Sequence, residues 1–139
     1  MQPLIKTKLR LPLLHRGKVR DIFDIDNNNM LIVTTDRLSA FDVVFDQPIP
    51  EKGMILTSIA NYWFQKTEHI IQNHLTDISL EEVLSKNEAE MLAGRAIVVK
   101  KLRPLAIEAV VRGYLIGSGW KEYLSSGMVC GTPLPQNME

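Results

Sequence analysis

An arginine and a helix start rich in small residues lie six positions apart in the second half of the chain. Arg112 follows a short apolar run, and residues 117–119 read Gly-Ser-Gly just before a segment with helical spacing. The first N–H groups of a helix have no partner within the helix, and together with the helix dipole they favour an anion. An arginine side chain offers a planar fork that matches phosphate oxygens. Arg112 and Ser118 therefore predict a phosphate site; a surface arginine and an ordinary N-cap serine are the alternative that spacing alone leaves open.

A second basic segment precedes two predicted strands near the amino terminus. Gly17 lies between Arg16 and Lys18, and Arg20 follows shortly after. Glycine lets a backbone approach a phosphate closely, and Lys18 and Arg20 supply positive charge. The segment lacks the Gly-x-x-x-x-Gly-Lys-Ser/Thr pattern of a Walker A loop. A nucleotide-binding loop and a solvated basic turn therefore both remain open.

Residues 36–42 follow the apolar segment 30–35, the second of the two predicted strands. This connection is polar and contains Ser39 and Asp42. Loops on a rigid sheet often carry ligand-binding groups, which would give these two side chains a functional role. Serine and aspartate are also among the commonest turn residues, so a purely local role is the alternative.

Alternating or continuous apolar segments predict the strands that would position these residues. Residues 19–26 and 30–35 flank an Asn-Asn-Asn turn and are typical of a β-hairpin. Residues 96–102 predict another strand, which Pro104 ends, and a further strand is expected over residues 107–111. The tail, residues 131–139, contains two prolines and is predicted to form no element.

Helical spacing predicts three helices. The first covers residues 56–67, with Thr57 as its N-cap and Trp63 in the core. The second runs over residues 79–86, because Ser79 followed three positions later by glutamate is a capping box. The third begins after the Gly-Ser-Gly sequence and ends at Gly127.

Composition limits the classes of function. With 139 residues and 45% hydrophobic content the chain is long enough for one domain, or one and a fraction, with a real core. Sixteen basic and sixteen acidic residues cancel, so no global field attracts nucleic acid or an anionic membrane. No segment has the apolar length of a signal peptide or a membrane span, and the expected location is the cytoplasm.

Neither cysteine nor histidine usage favours a metal centre. Cys130 is the only cysteine, which excludes an internal disulfide framework and a site built from several thiolates. His69 and His74 are five residues apart, off the spacing that places two ligands on one helical face. We therefore predict no metal site in this chain.

Three stretches, in the same order along the chain, resemble one enzyme family. They are Arg16–Ile22, Asp36–Val43 and Glu108–Tyr123, the last reading Glu-Ala-Val-Val-Arg-Gly-Tyr-Leu-Ile-Gly-Ser-Gly-Trp-Lys-Glu-Tyr. The sequence resembles the phosphoribosylaminoimidazole-succinocarboxamide synthase (SAICAR synthetase) family, ligases of purine biosynthesis. Any one stretch alone would be a weak match, whereas three in order span nearly the whole chain.

The resemblance implies an ATP-dependent condensation of carboxyaminoimidazole ribotide with L-aspartate that yields ADP and phosphate and uses Mg²⁺. The carboxylate would be activated as an acyl phosphate before the aspartate amine displaces phosphate. Chemistry of this kind depends on neutralised phosphoryl charge and aligned reactants. The expected partners are the two small-molecule substrates, with no nucleic acid and no membrane.

The resemblance also assigns individual residues. Those matching the family's ATP positions are Gly17, Lys18 and Arg20 over the phosphates and Lys100, Lys101 and Leu102 at the adenine hinge. Those matching substrate positions are Arg112 and Ser118 at the ribotide 5′-phosphate and, without a defined role, Ser39, Asp42 and Glu108. The family's acidic Mg²⁺ ligands and most of its aspartate-binding residues would lie beyond Glu139.

The implied fold is α+β, with an antiparallel kinase-like or ATP-grasp lobe and flanking helices. Residues 1–102 would form the ATP-binding lobe, and residues 103–139 would begin a second ATP-grasp lobe. Because family members are longer, the chain is expected to be an incomplete amino-terminal part, inactive alone. Apolar surface left uncovered would make it self-associate.

Other classes of function stay open at this stage. A small-molecule kinase or a non-catalytic nucleotide-binding module could share the first lobe. A nucleic-acid binder using Lys18, Arg20, Lys100 and Lys101 is a further alternative, although zero net charge and the lack of interleaved aromatic residues argue against it.

Overall fold

The computed structural model describes residues 2–107 and 109–138. The chain divides into two compact units, Met1–Arg103 and Pro104–Glu139. Each unit is described below by itself.

The first unit contains a four-stranded antiparallel sheet built from β1 (Leu13–Arg16), β2 (Arg20–Asp24), β3 (Asn29–Thr34) and β6 (Ala96–Lys100), which neighbour one another in that order. A separate small hairpin joins β4 (Ser39–Ala40) to β5 (Val43–Val44). The predicted hairpin of β2 and β3 is confirmed, as is the strand after residue 95. β1 was not predicted, because it is an edge strand with an irregular register and no alternation of buried and exposed side chains.

One face of the sheet forms the core of this unit. Phe23, Leu31, Val33 and Val98 point to this face and are nearly inaccessible to solvent. Two short helices, α2 (Leu80–Val83) and α3 (Lys86–Leu92), cover it. α3 contributes the buried side chains Ala89 and Leu92, and Leu84 is buried between the two helices. Burial of this apolar surface is the main stabilising contribution to the unit.

Each of these two helices begins with a capping box. Ser79 and Glu82 form the one that the sequence predicted, with the Ser79 N–H donating to Glu82 Oε1 at 2.8 Å. Ser85 and Glu88 form a second, and their hydrogen bonds lower the pKa of Glu88 to about 2. Helix α3 was not predicted, because residues 87–95 show no clear periodicity in sequence.

The long helix α1 (Lys52–Thr67) starts earlier than its apolar spacing predicted. Its N-cap residue is Glu51, so Thr57 is not the cap and instead lies buried in the second turn. Gly53 explains the early start: a Cβ there would lie 2.2 Å from the carbonyl oxygen of Thr34, so only glycine lets the helix begin against the end of β3. Trp63, predicted to be core, is 59% exposed, because the buried face runs through Gly53 and Thr57.

The second unit is organised around helix α4 (Ser118–Ser126), which confirms the predicted third helix. Gly127 ends it with a left-handed backbone, and its N–H donates to the Tyr123 carbonyl at 2.7 Å. Tyr123 is buried; its hydroxyl donates to the Pro135 carbonyl and accepts from the Met138 N–H. These contacts hold the tail against the helix.

Two predictions for this unit were wrong. Residues 132–133 form strand β8 (Thr132–Pro133), paired with β7 (Met128–Val129) around a Cys130-Gly131 turn with positive φ at both residues. Residues 109–112 form no strand, and Val111 is 99% exposed. An apolar run becomes a strand only when a neighbouring strand pairs with it, and none does so in the described part of this unit.

Among the residues that the structure describes, no helix combines the length and apolar character needed to cross a membrane.

Candidate functional site

The connection between β1 and β2, residues 17–19, is a tight loop whose backbone carbonyls are all held on one side. Its first N–H, that of Gly17, donates to the Arg20 carbonyl at 2.8 Å. The Gly17 and Lys18 carbonyl oxygens accept from Nη2 and Nε of Arg37 at 2.9 and 3.0 Å. The Val19 carbonyl accepts from the Thr35 N–H at 3.0 Å and from its hydroxyl at 2.8 Å.

This arrangement fixes the direction of two backbone N–H groups. In a trans peptide the N–H points away from the C=O of the same peptide unit, and the described residues contain no cis bond. The Gly17 and Lys18 carbonyls share their peptide units with the N–H groups of Lys18 and Val19, so these two N–H groups face away from Arg37. Neither has an acceptor in the described part of the chain. Together with the Lys18 side chain they form a small positive surface suited to an anion.

A buried carboxylate lies beneath the loop. Asp21 is fully buried and accepts hydrogen bonds from Thr7, from Arg16 Nε at 3.1 Å and from Arg37 Nη2 at 2.8 Å. Burial by itself raises the pKa of Asp21, but the hydrogen bonds from Thr7, Arg16 and Arg37 outweigh it, and the pKa is lowered. Asp21 therefore stays ionised and holds the Arg37 guanidinium in place.

A second buried carboxylate joins α1 to the end of β3. Asp36 accepts from the N–H groups of Leu4 at 2.7 Å and Gly53 at 2.9 Å, and from Arg95 Nη1 at 3.0 Å. Burial by itself raises the pKa of Asp36, but the hydrogen bonds from these three donors outweigh burial, and the pKa is lowered. Asp36 follows β3 in a stretch that is typical of a polar connection in sequence. Its hydrogen bonds give it a structural role, because they tie residues 4, 53 and 95 together.

The hairpin of β4 and β5 brings a predicted substrate residue to the loop. Asp42 forms an ion pair with Lys18, which lowers the pKa of Asp42. The turn residues Phe41 and Asp42 both have positive φ, the conformation of a type I′ turn, although this turn usually contains asparagine or glycine. Ser39, the first residue of β4, is half-buried.

A cavity of about 240 Å³ lies beside the loop, between α1 and the sheet face opposite the core. Its lining includes Val19, Arg20 and His74, and most of the remaining wall is apolar. Burial first, and then the charge of Arg20, lowers the pKa of His74, so this imidazole is held neutral. The buried hydroxyl of Thr57, which also lines the cavity, has no hydrogen-bond partner in the described part of the chain.

The predicted adenine hinge lies at the end of β6, and two of its N–H groups are already used. The Lys100 N–H donates to the His74 carbonyl at 2.8 Å, and the Lys101 N–H donates to the Asn28 carbonyl at 2.7 Å. The Lys101 side chain pairs with Asp24, at the opposite end of β2 from the loop. Leu102 is exposed.

In the second unit, Ser118 is the first residue of α4 and Gly117 is its N-cap, so the serine is not the cap residue. The first intrahelical bond runs from the Lys121 N–H to the Gly117 carbonyl at 3.2 Å, which leaves the N–H groups of residues 118–120 without intrahelical acceptors. Arg112 is exposed, and no hydrogen bond joins it to Ser118 in the described part of the unit. Glu108, predicted to contact substrate, lies outside the described residues.

Two further features of the molecule lie outside the predicted anion sites. Across residues 2–107 and 109–138, no three His, Cys, Asp or Glu side chains cluster so that they could hold a metal ion. A cavity of about 730 Å³ lies in the second unit along Tyr123 to Met138, away from the start of α4. Neither feature adds to the predicted anion sites.

Sequence reasoning missed Arg37 and Thr35, which hold the loop carbonyls. Thr35 directly precedes the matched stretch that begins at Asp36 and Arg37 is its second residue, whereas the sequence pattern favoured Ser39 and Asp42 as the polar side chains of this connection. Their contacts to the loop cross 16 to 20 residues of sequence, and no local spacing reveals such contacts.

The chain is thus a mixed α/β protein with antiparallel sheets and a cationic loop whose free N–H groups suit an anion. The SAICAR synthetase family model matches residues 13–139. The chain belongs to this family.

Individual relatives agree with that assignment. Over 128 residues the chain is 59% identical to the phosphoribosylaminoimidazole-succinocarboxamide synthase of Nitrosomonas europaea, covering 92% of the chain and 43% of that protein. Among solved structures, one titled SAICAR synthase matches with a TM-score of 0.89 and 40% identity over 98% of the chain and 49% of its own. The SAICAR synthase of Saccharomyces cerevisiae complexed with SAICAR matches with a TM-score of 0.86, at the same identity and coverage. The chain spans less than half the length of these proteins.

Proposed function

We propose that this chain supplies the nucleotide-binding and ribotide-binding part of a ligase that joins carboxyaminoimidazole ribotide to L-aspartate at the expense of ATP. Membership of the SAICAR synthetase family supports the reaction, and the yeast relative's title names SAICAR as its bound ligand. Residues 1–102 would be an ATP-binding lobe of kinase-like or ATP-grasp type, and residues 103–139 would begin a second lobe. The cytoplasmic location and the self-association expected from sequence stay predictions.

The observation that carries the proposal is the outward direction of the Lys18 and Val19 N–H groups. Two backbone donors and a lysine at one loop can bind the phosphate oxygens of ATP, and Gly17 allows the close approach. Arg20 adds a second cation where the loop meets the cavity. The apolar wall of that cavity offers a place for the nucleoside, with Leu102 at the hinge.

In the proposed reaction the ribotide carboxylate oxygen attacks the terminal phosphorus of ATP, and ADP leaves. The aspartate amine then attacks the acyl phosphate carbon, and phosphate leaves as the amide forms. Lys18 and the loop N–H groups would offset the negative charge on the phosphoryl oxygens in the first step. Mg²⁺ would further neutralise the phosphoryl charge in such a transfer, although no three His, Cys, Asp or Glu side chains cluster to hold it among the described residues.

The ribotide 5′-phosphate would bind at the start of α4. The unpaired N–H groups of residues 118–120, the Ser118 hydroxyl and the Arg112 guanidinium are the donors. Because Arg112 is exposed and lies in irregular backbone, it would have to close onto the phosphate when the ligand binds. Ser39, Asp42 and Glu108 are proposed for the substrate side on the basis of their motif positions.

The test is made in a complete enzyme. We define the chimera as the Nitrosomonas europaea relative in which the matching 128 residues are replaced by those of this chain. The expected result is ADP release that requires both the ribotide and L-aspartate, and that the Lys18→Ala variant greatly reduces. ADP release with the ribotide alone would instead indicate a small-molecule kinase. A folded chimera that releases no ADP would contradict the proposal.

A further inference from the structure

We propose that Arg37 is a positioning residue that sets the orientation of the phosphate-binding loop without touching the ligand. This inference rests on the proposed function, since it concerns how that loop binds ATP. The guanidinium donates to four acceptors: the carbonyl oxygens of Ile5, Gly17 and Lys18 and the carboxylate of Asp21.

The charge of Arg37 is fully used inside the protein. Only 8% of the residue is exposed, and Nε, Nη1 and Nη2 each bond to the protein at 2.6 to 3.0 Å. Four of the five N–H groups of the guanidinium make these bonds, and the fifth, on Nη1, belongs to a residue that is almost fully buried. Arg37 therefore acts on a bound anion only through the loop backbone.

The two carbonyls that Arg37 holds belong to the peptide units whose N–H groups are those of Lys18 and Val19. Residues 17–19 lie outside the strands, so no ladder hydrogen bond prevents these peptide units from rotating. A rotation by half a turn would replace each outward N–H by an outward carbonyl oxygen, which repels phosphate. By binding both carbonyls, Arg37 keeps donors rather than acceptors on the ligand side.

Lysine cannot reproduce this arrangement. A guanidinium presents its N–H groups in a fixed planar fork, and here the fork bonds two successive carbonyls and a carboxylate. An ammonium group can keep the ion pair with Asp21 but cannot hold both carbonyls with the same geometry. Arg37→Lys therefore keeps the positive charge beside Asp21 and removes the hydrogen bonds that orient the loop.

A matched control exists in the same unit. Arg95 is similarly buried, at 3% exposed, and forms an ion pair with Asp36 at 3.0 Å, but it forms no hydrogen bond with residues 17–19. Arg95→Lys should disturb stability as Arg37→Lys does and leave the loop unchanged.

The experiment is equilibrium titration of the chain and both variants with ATP and with adenosine, which lacks phosphate. The wild type should bind ATP more tightly than adenosine. Arg37→Lys should lower ATP affinity about tenfold, because the Lys18 and Val19 N–H groups are then no longer held toward the charged phosphates. It should change adenosine affinity less than about twofold. Arg95→Lys should keep the wild-type preference.

Every other outcome contradicts either this inference or the proposed function. A preference for ATP that survives Arg37→Lys, or that Arg95→Lys reduces equally, overturns the inference while leaving the proposed function intact. A wild type that does not distinguish ATP from adenosine overturns the proposed function, and this inference with it. Should Arg37→Lys fail to fold, the wild-type amide NMR signals of Lys18 and Val19 decide: they should shift with ATP and not with adenosine, and signals that stay unchanged while the wild type still prefers ATP to adenosine contradict the inference alone.

Discussion

Lys18 and Asp42, 24 residues apart in sequence, form an ion pair that joins the β1–β2 loop to the turn between β4 and β5. Both side chains are exposed, so water and salt weaken the attraction. This carboxylate pairs with the lysine that the proposed function assigns to ATP phosphate. Nucleotide and Asp42 should therefore compete for Lys18.

The first prediction follows from that competition. Asp42→Asn should raise ATP affinity about two- to fivefold, because it frees Lys18 and removes a negative charge beside the phosphates. ATP titration of the chain at low salt measures the change. Asp46→Asn, which removes an exposed carboxylate further along the same segment, is the matched control. Equal gains in both variants, or a loss of affinity in Asp42→Asn, would argue against the competition.

The second prediction concerns the start of α1. A methyl group on Gly53 would lie 2.2 Å from the Thr34 carbonyl oxygen, so helix and strand would have to separate. Gly53→Ala should lower the free energy of unfolding by about 3 kcal/mol, at the upper end for overpacking. Urea denaturation measures it. Ser58→Ala, on the exposed face of the same helix, should change it by less than about 0.5 kcal/mol. A stable Gly53→Ala protein would show that the helix does not start there.

The third prediction is pH dependence. The pKa values of Asp21 and Asp36 are lower in the folded chain than the ordinary value of 3.8. A lowered pKa gives stability that is complete above the unfolded value and is lost as pH falls through the folded value. Urea midpoints measured from pH 7 down to pH 3 should therefore stay level and then decline below about pH 4.

An Asp21→Asn variant tests the origin of that decline. It should be less stable at pH 7, since Arg16 and Arg37 lose their buried partner, and its stability should fall less steeply below pH 4. Asp46→Asn should keep the wild-type profile. An Asp21→Asn curve that stays parallel to the wild type would assign the acid sensitivity to other carboxylates.

Local signals in the sequence predicted much of the fold. The Asn-rich turn between β2 and β3, the Ser79 capping box and Gly127 at the end of α4 each act within a few residues, and each was confirmed. The errors involve distant partners. Trp63 is exposed because the buried face of α1 is set by the approach of Gly53 to β3, and residues 109–112 have no strand beside them.

The candidate site shows the same contrast between local sequence signals and long-range contacts. Gly17 and Lys18 stand out in sequence by type and position, because a glycine beside cations at a strand start is a local pattern. Arg37 does not, since its partners Ile5, Gly17 and Asp21 come from three separate segments. Long-range hydrogen bonds of this kind become visible only in the folded chain.

The most direct test of the account is a crossed titration of the chimera with ATP and with the ribotide. Lys18→Ala should weaken ATP binding about tenfold and leave ribotide affinity unchanged. Arg112→Ala should weaken ribotide binding roughly ten- to a hundredfold and leave ATP affinity unchanged, and Arg112→Lys should recover part of that loss. This pattern would establish two separate phosphate sites in the chain. Variants that weaken both ligands equally, or neither, would contradict it.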